Sequence, residues 1–256
     1  MKTLRPTATY LLIGVLVLLS QLAAAQIVNI EDKRVERQDT AGWYGFINAG
    51  LTLVNNGSEI ITINGALRVE RLQYRHWFMS LSNFNLVKAE GKDFVNNGFQ
   101  HFRYNYNVNK WLTWEAFVQA QYDERLNLRL RTLLGTGPRF RLFRNDKIRA
   151  FLGTLYMYEY NRETDPEVIL NDNRLSTYLS FNYKPLSNVT IASTTYYQPL
   201  LNKLADWRLS SQSSLLIAIN SKLRFKASFN IIYDSKVPEG VANTIYRLTN
   251  GIRLDF

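Results

Sequence analysis

Cysteine is absent from this 256-residue chain. A disulfide framework, a thiolate metal site and a cysteine-borne lipid anchor are therefore all excluded. Histidine is nearly absent too, with only His76 and His101. Acidic residues are outnumbered, 21 against 31 Lys and Arg, for a formal charge of +10. Apolar runs are short after residue 25, and no later segment approaches the roughly 20 residues that a membrane-spanning helix needs. If the mature chain meets a membrane, it does so without spanning helices.

The first 25 residues are a different material. Lys2 and Arg5 lead into the apolar stretch Leu11–Leu19, and Ala23-Ala24-Ala25 follows. A basic start, a short apolar core and small residues before a cut are the plan of a cleaved export signal. Residues 26–42 form a charged arm without alternation, read as periplasmic, and residues 43–256 form one domain.

Within that domain the hydrophobic period is two. Twelve strands are expected, near Trp43–Val54, Glu59–Arg71, His76–Lys88, Gly98–Val108, Trp111–Tyr122, Leu126–Phe143, Ile148–Asn161, Asn173–Lys184, Val189–Tyr197, Trp207–Ile219, Lys222–Tyr233 and Thr244–Phe256. In the fifth, Leu112, Trp114, Ala116, Val118 and Ala120 share one side, and Thr113, Glu115, Phe117, Gln119 and Gln121 the other. The third, HWFMSLSNFNLVK, alternates worst. Tight connections are expected at Asn109-Lys110, Arg144–Lys147, Pro185–Asn188 and Asn220-Ser221. Longer ones are expected at Ala89–Asn97, Arg162–Asp172, Gln198–Asp206 and Asp234–Asn243.

Short turns on one rim, longer loops on the other and an even strand count are the pattern of a closed antiparallel up-and-down transmembrane β-barrel in an outer membrane. The apolar faces carry aromatics near strand ends: Trp43, Trp77, Trp111, Trp207, Tyr156, Tyr158, Tyr160, Tyr197, Tyr233 and Tyr246. Such residues suit the interfacial girdles of a membrane barrel. The other faces are basic. The phasing places Arg68, Arg103, Arg129, Arg131, Arg139, Arg141, Arg149, Arg174, Lys184, Arg208, Arg224, Lys226, Arg247 and Arg253 in a lumen, against Glu70, Glu115, Asp123, Glu159, Asp234 and Asp255. Arg103, Arg129, Arg131, Arg139, Arg141, Arg174, Arg208, Arg224, Arg247 and Arg253 are the candidates to face small anions. These cations can either pair with the carboxylates and fill the barrel or leave an anion-preferring pore.

The chain ends YRLTNGIRLDF. Tyr246, Leu248, Ile252, Leu254 and the terminal Phe256 lie on one phase. That resembles the signal read by the bacterial barrel-assembly machinery, which joins outer-membrane lipids as an expected partner. In LRLRTLLGTGPRFRLF, Gly135 and Gly137 mark a bend or a close approach inside the lumen. GTG is not a phosphate loop, because no helix and no Lys-Ser/Thr follow it.

Enzymatic readings fare poorly. A lipid hydrolase would need a histidine with a serine, and neither His76, placed at a turn, nor His101, placed in the lumen, has a serine assigned by spacing. No catalytic residue, cofactor or metal ligand is expected. Glu163, Asp165, Glu167 and Asp172 crowd one loop but lack the glycine and oxygen spacing of a calcium loop. The basic charge could suit nucleic acid, which the export signal and the lumen placement disfavour.

Several segments resemble one family: NGFQHFRYNYNVN, AFVQAQYD, LRLRTLLGTGPRFRLF, TTYYQPLL with DWRLSS, and DSKVPEGV before the last strand. The chain is similar here to the YdiY-like family, domain of unknown function 481, some members of which are labelled putative salt-induced outer-membrane proteins. The resemblance is strong over 98–256 and weaker over 43–98. It implies an outer-membrane barrel and brings no activity or catalytic residue with it.

Overall fold

The structure is a computed structural model and describes residues 41–164, 167–220, 223–237 and 242–254, with the side chains of Asp93 and Arg253 left aside. The expected export signal, most of the charged arm and Phe256 lie outside the described residues.

Twelve strands form one sheet: β1 (Gly42–Asn55), β2 (Glu59–Gln73), β3 (His76–Ala89), β4 (Lys92–Asn107), β5 (Leu112–Asp123), β6 (Leu128–Arg144), β7 (Ile148–Glu163), β8 (Ile169–Leu186), β9 (Val189–Leu200), β10 (Lys203–Ala218), β11 (Leu223–Asp234) and β12 (Thr244–Leu254). Each pairs antiparallel with the next, in the order β1 to β12. Among the described residues no ladder joins β12 back to β1. The observed object is a single up-and-down sheet with two free edges, where the sequence led us to expect a closed ring.

The sheet is curled. Tyr178 on β8 donates its hydroxyl proton to Glu115 Oε2 on β5 at 2.8 Å, and Arg208 on β10 reaches Glu159 on β7. Three strand spacings separate each pair, about 14 Å on a flat sheet. Side chains standing upright on a flat sheet would not meet, so this face is concave.

The two rims differ less than the alternation suggested. On one rim, Asn109, Asn145 and Asn220 each turn a side-chain oxygen onto following backbone N–H groups, closing short turns. These asparagines satisfy donors that the ladder leaves unpaired. On the other rim, two of the expected long loops are absent. The β3–β4 hairpin turns through Glu90 and Gly91, both at positive φ (52° and 76°), as a tight two-residue hairpin demands. Strands β9 and β10 are parted by only Leu201 and Asn202. The mixed runs KDFVNN and KLAD extend strands there, because backbone pairing in the ladder does not depend on strict side-chain alternation. The segment between β5 and β6 holds a one-turn 3₁₀ helix, Glu124–Leu126, capped by Asp123.

The convex face is greasy and bare. Ile47, Leu51 and Leu53 of β1, Leu134 of β6, Leu179 of β8, and Leu248, Ile252 and Leu254 of β12 are all large, apolar and exposed, Ile47 by 76 %. No second layer covers them among the described residues. Expected rim aromatics lie on this face: Trp43 and Trp111 are exposed, and Trp207 packs between the tilted rings of Tyr197 and Tyr233. Trp77 is an exception that corrects the sequence reading. It is buried on the concave face and donates its indole N–H to Glu70 Oε2 at 2.8 Å. In the first half of β3 the apolar phase, Trp77, Met79 and Leu81, is the one that faces inward, packed with Leu72, and register with β2 sets this, with Leu72 opposite Trp77 and Glu70 opposite Met79.

Candidate functional site

The concave face is where the chain concentrates its chemistry. It is layered along the strands, and each layer follows from alternation.

Nearest the loop rim lies a charged layer built on Glu159, which is fully buried. Arg208 Nη1 donates to both of its oxygens, at 2.7 and 2.6 Å. Arg131 Nε lies 2.9 Å and Arg174 Nε 3.2 Å from the same carboxylate. Arg208 Nε also donates to Asp234 at 2.6 Å, and Arg174 Nη2 to Asp172 and Asp206, each at 3.0 Å. Three guanidinium groups thus share four carboxylates. Bidentate and forked contacts of this kind are the strong form of a charged hydrogen bond, and a sealed charge without them would be prohibitive.

The middle layer is apolar. Phe117, Leu133, Leu155, Met157, Tyr178 and Tyr196 form one buried cluster. Glycines make room for its rings: Gly135 opposes Phe117, and Gly153 opposes Tyr178. A Cβ at either glycine would run into the facing ring. Each ring lies across its glycine's backbone, the arrangement by which aromatics cover a bare strand position. The expected close approach is therefore found at Gly135 and repeated at Gly153.

Below the cluster lies a second polar layer. Arg103 Nη1 donates to Glu115 Oε2 at 2.9 Å, and Tyr178 donates to the same oxygen. Arg139 is 3.9 Å from Glu115 Oε1, and its guanidinium lies 3.9 Å from the Phe151 ring centroid. Arg103 Nε donates to His101 Nε2 at 3.3 Å, and His101 Nδ1 meets Gln119 Oε1 at 2.8 Å. These partners require the proton on Nδ1 and a bare Nε2. His101 is thus held at both nitrogens within the interior. His76 lies on the other face, its Nδ1 2.8 Å from the Tyr104 hydroxyl. Neither histidine has a serine partner in these contacts. Further round the wall, Arg68 pairs with Glu70.

Of the arginines expected to face the interior, Arg103, Arg131, Arg139, Arg174 and Arg208 are buried there. Arg141 is half-buried on the same face. Register puts Arg224 and Arg247 on it as well, nearer to solvent, and pairs the backbone of Arg253 with that of Arg224. Arg129 departs from the expectation. The ladder slips between Leu128 and Leu130, so Arg129 falls in a bulge and is exposed while Leu128 is buried. One extra residue in a strand turns the side chains on either side of it. Tyr246, Leu248, Ile252 and Leu254 of the expected assembly signal lie exposed on the convex face.

Sequence reasoning missed Asp172 and Asp206, which it left in loops. The steps Asp172–Arg174–Ser176 and Asp206–Arg208–Ser210 keep the period of two and would have found them. It also missed that an apolar cluster would interrupt a polar face.

Among solved structures the chain is similar to a NanC porin, at 13 % identity and TM-score 0.49, over 82 % of this chain and 99 % of that one. It is also similar to a KdgM porin in complex with disordered oligogalacturonate, at 9 % identity and TM-score 0.42, over 78 % and 96 %. A bacterial polysaccharide outer membrane secretin matches at 12 % identity and TM-score 0.44, over 84 % and 85 %. No curated protein matches the chain. The model of the protein family of unknown function DUF481 matches residues 47–256, most of the chain, which therefore belongs to that family.

Proposed function

We propose that residues 43–256 close into a twelve-stranded barrel in the outer membrane of a Gram-negative bacterium, and that the protein is a non-enzymatic envelope protein with a filled lumen. In this reading residues 1–25 are a cleaved export signal and 26–42 a periplasmic arm. Outer-membrane lipids surround the wall, and the barrel-assembly machinery reads Tyr246, Leu248, Ile252, Leu254 and Phe256.

One observation carries the location: a single sheet keeps large apolar side chains exposed on its convex face while its buried ion pairs lie on the concave one. In water such an apolar surface would aggregate. In hydrocarbon it is at rest, and the two free edges of β1 and β12 then have to pair, because an unpaired backbone group in lipid costs several kcal/mol, on the order of a lost hydrogen bond in an apolar medium.

The filling rests on the layers. Around the apolar cluster, between the two polar layers, the space left is about 30 Å³, and a second space of about 50 Å³ lies at the loop rim among Asp172, Arg174, Asp206 and Asp234. Such spaces hold one or two waters, not a solute. Planar-bilayer recording of the purified chain tests the reading: a filled lumen gives no unitary steps in high salt, and regular steps would overturn it.

A further inference from the structure

The outer edge of the turn rim differs from that of the loop rim in the sign of its charge. Arg71, Arg75, Lys110, Arg144 and Lys147 stand in or beside the β2–β3, β4–β5 and β6–β7 turns, and all are exposed except half-buried Arg71. Those three turns hold one carboxylate, Asp146. The loop rim is mixed, with exposed Glu59, Glu90 and Glu124 among Lys92 and Arg125. Backbone hydrogen bonds tie each turn to the hairpin beside it. The Arg75 carbonyl accepts from Asn107 N at 2.9 Å, the Trp111 carbonyl from Arg141 N at 2.8 Å and the Lys147 carbonyl from Lys184 N at 2.7 Å. The cations are therefore carried on one fixed collar.

Large aromatics project beside them. Arg71 stands opposite exposed Trp43 in the β1–β2 ladder, its guanidinium 5.3 Å from the ring centroid. Tyr74, 88 % exposed, precedes Arg75 in one turn, and exposed Trp111 follows Lys110 in another. A cation beside an exposed ring suits the boundary between hydrocarbon and headgroups, where the ring meets acyl chains and the charge reaches phosphate. We propose that this collar binds the headgroups of anionic phospholipids in the leaflet at the turn rim. The argument is charge complementarity over a surface. Each headgroup meets one or two cations, so the cations need not converge on one ligand. Every Lys or Arg held near an anionic leaflet adds to the attraction, which fades within a Debye length. Guanidinium and ammonium groups donate to phosphate oxygens, and the rings set the depth at which they do so. The inference rests on the membrane barrel proposed above and adds a lipid preference confined to one rim.

The test uses the full chain in phosphatidylcholine vesicles with a minor fraction of phosphatidylglycerol, one lipid or the other carrying brominated acyl chains. A fluorophore on Gln73→Cys reports the turn rim, and one on Tyr158→Cys the wall toward the loop rim. Quenching by brominated phosphatidylglycerol at residue 73 should exceed that lipid's share of the bilayer by about two- to fivefold and fall with added salt. At residue 158 it should match the share. Arg75→Gln with Lys110→Gln should return residue 73 to the share, and Lys92→Gln with Arg125→Gln should not. Quenching by brominated phosphatidylcholine checks that each variant has inserted, and each single turn-rim variant, if the double does not insert, should still lose part of the excess. No excess at residue 73, an equal excess at both sites, or an excess that survives Arg75→Gln with Lys110→Gln would overturn the proposal and leave the barrel standing. No quenching by either lipid at either site would overturn the barrel and this inference with it.

Discussion

Glu159 is the residue on which the loop-side layer converges. It is fully buried and holds Arg131, Arg174 and Arg208 together. Glu159→Gln keeps the shape and removes the charge, leaving three sealed guanidinium groups facing one another. The expected cost is about 3–5 kcal/mol, the usual penalty for breaking a buried ion pair by removing one partner. Chemical unfolding in detergent measures it, and a change within a few tenths of a kcal/mol would mean that water reaches the layer. Gly153 makes a second prediction. In Gly153→Val the new side chain drives Tyr178 off its glycine and away from Glu115. Overpacking of this kind costs about 1–3 kcal/mol. Combined with Tyr178→Ala, the penalty should be well below the sum of the two single ones, because the clash is then gone. Simple additivity would show that the ring and the glycine do not meet. Such contacts were only half legible beforehand. Arg103, Arg131, Arg174 and Arg208 announced their facing by alternation alone. Trp77 did not, since its phase, Trp77, Met79 and Leu81, is the apolar one and yet faces inward, and Arg129 did not, since a bulge leaves no mark in a run as regular as LNLRLRTLL.

At the scale of the element, existence was legible and extent was not. Alternation located all twelve strands, yet the ends of β4 and β10 read as loops because KDFVNN and KLAD break the strict alternation while still pairing in the ladder. Strand lengths of 12 to 17 residues in β5 and β6 overrun the roughly 9–11 that cross hydrocarbon. The decisive element-scale question is the seam. Strands β1 and β12 each carry a free edge among the described residues, and their convex faces, with Ile47, Leu51, Leu248 and Ile252, are as apolar as the rest. Having no native cysteine, the chain is suited to a cross-linking scan. With Asn48→Cys fixed on β1, cysteine is placed in turn at Arg247, Thr249 and Gly251 of β12. A closed seam brings one pairing within the roughly 4 Å Cβ separation that a disulfide needs. Efficient cross-linking at one position, in membranes and not in denaturant, is the expected outcome. No cross-link at any position would leave the sheet open.

For the whole molecule, the governing fact is sidedness: hydrocarbon-compatible groups on the convex face, ionised groups on the concave one. Its energetics depend on the solvent that each face meets. Charges paired through Glu159 and Glu115 hold the interior against desolvation, and in the proposed membrane location lipid would remove the penalty that water imposes on the exterior. Sidedness was the most legible property of the sequence, because a period of two needs no tertiary information to be seen. Lumen content was the least legible, because it depends on which rings reach across glycines such as Gly135 and Gly153. The measurement that bears most directly on sidedness is quenching by brominated lipids of a fluorophore on single cysteines. Leu134→Cys and Leu179→Cys report the convex face, and Gln119→Cys and Ser210→Cys the concave one, all in reconstituted vesicles. Strong quenching at the first two and little at the last two is predicted. Equal quenching at all four, or quenching at none, would contradict it.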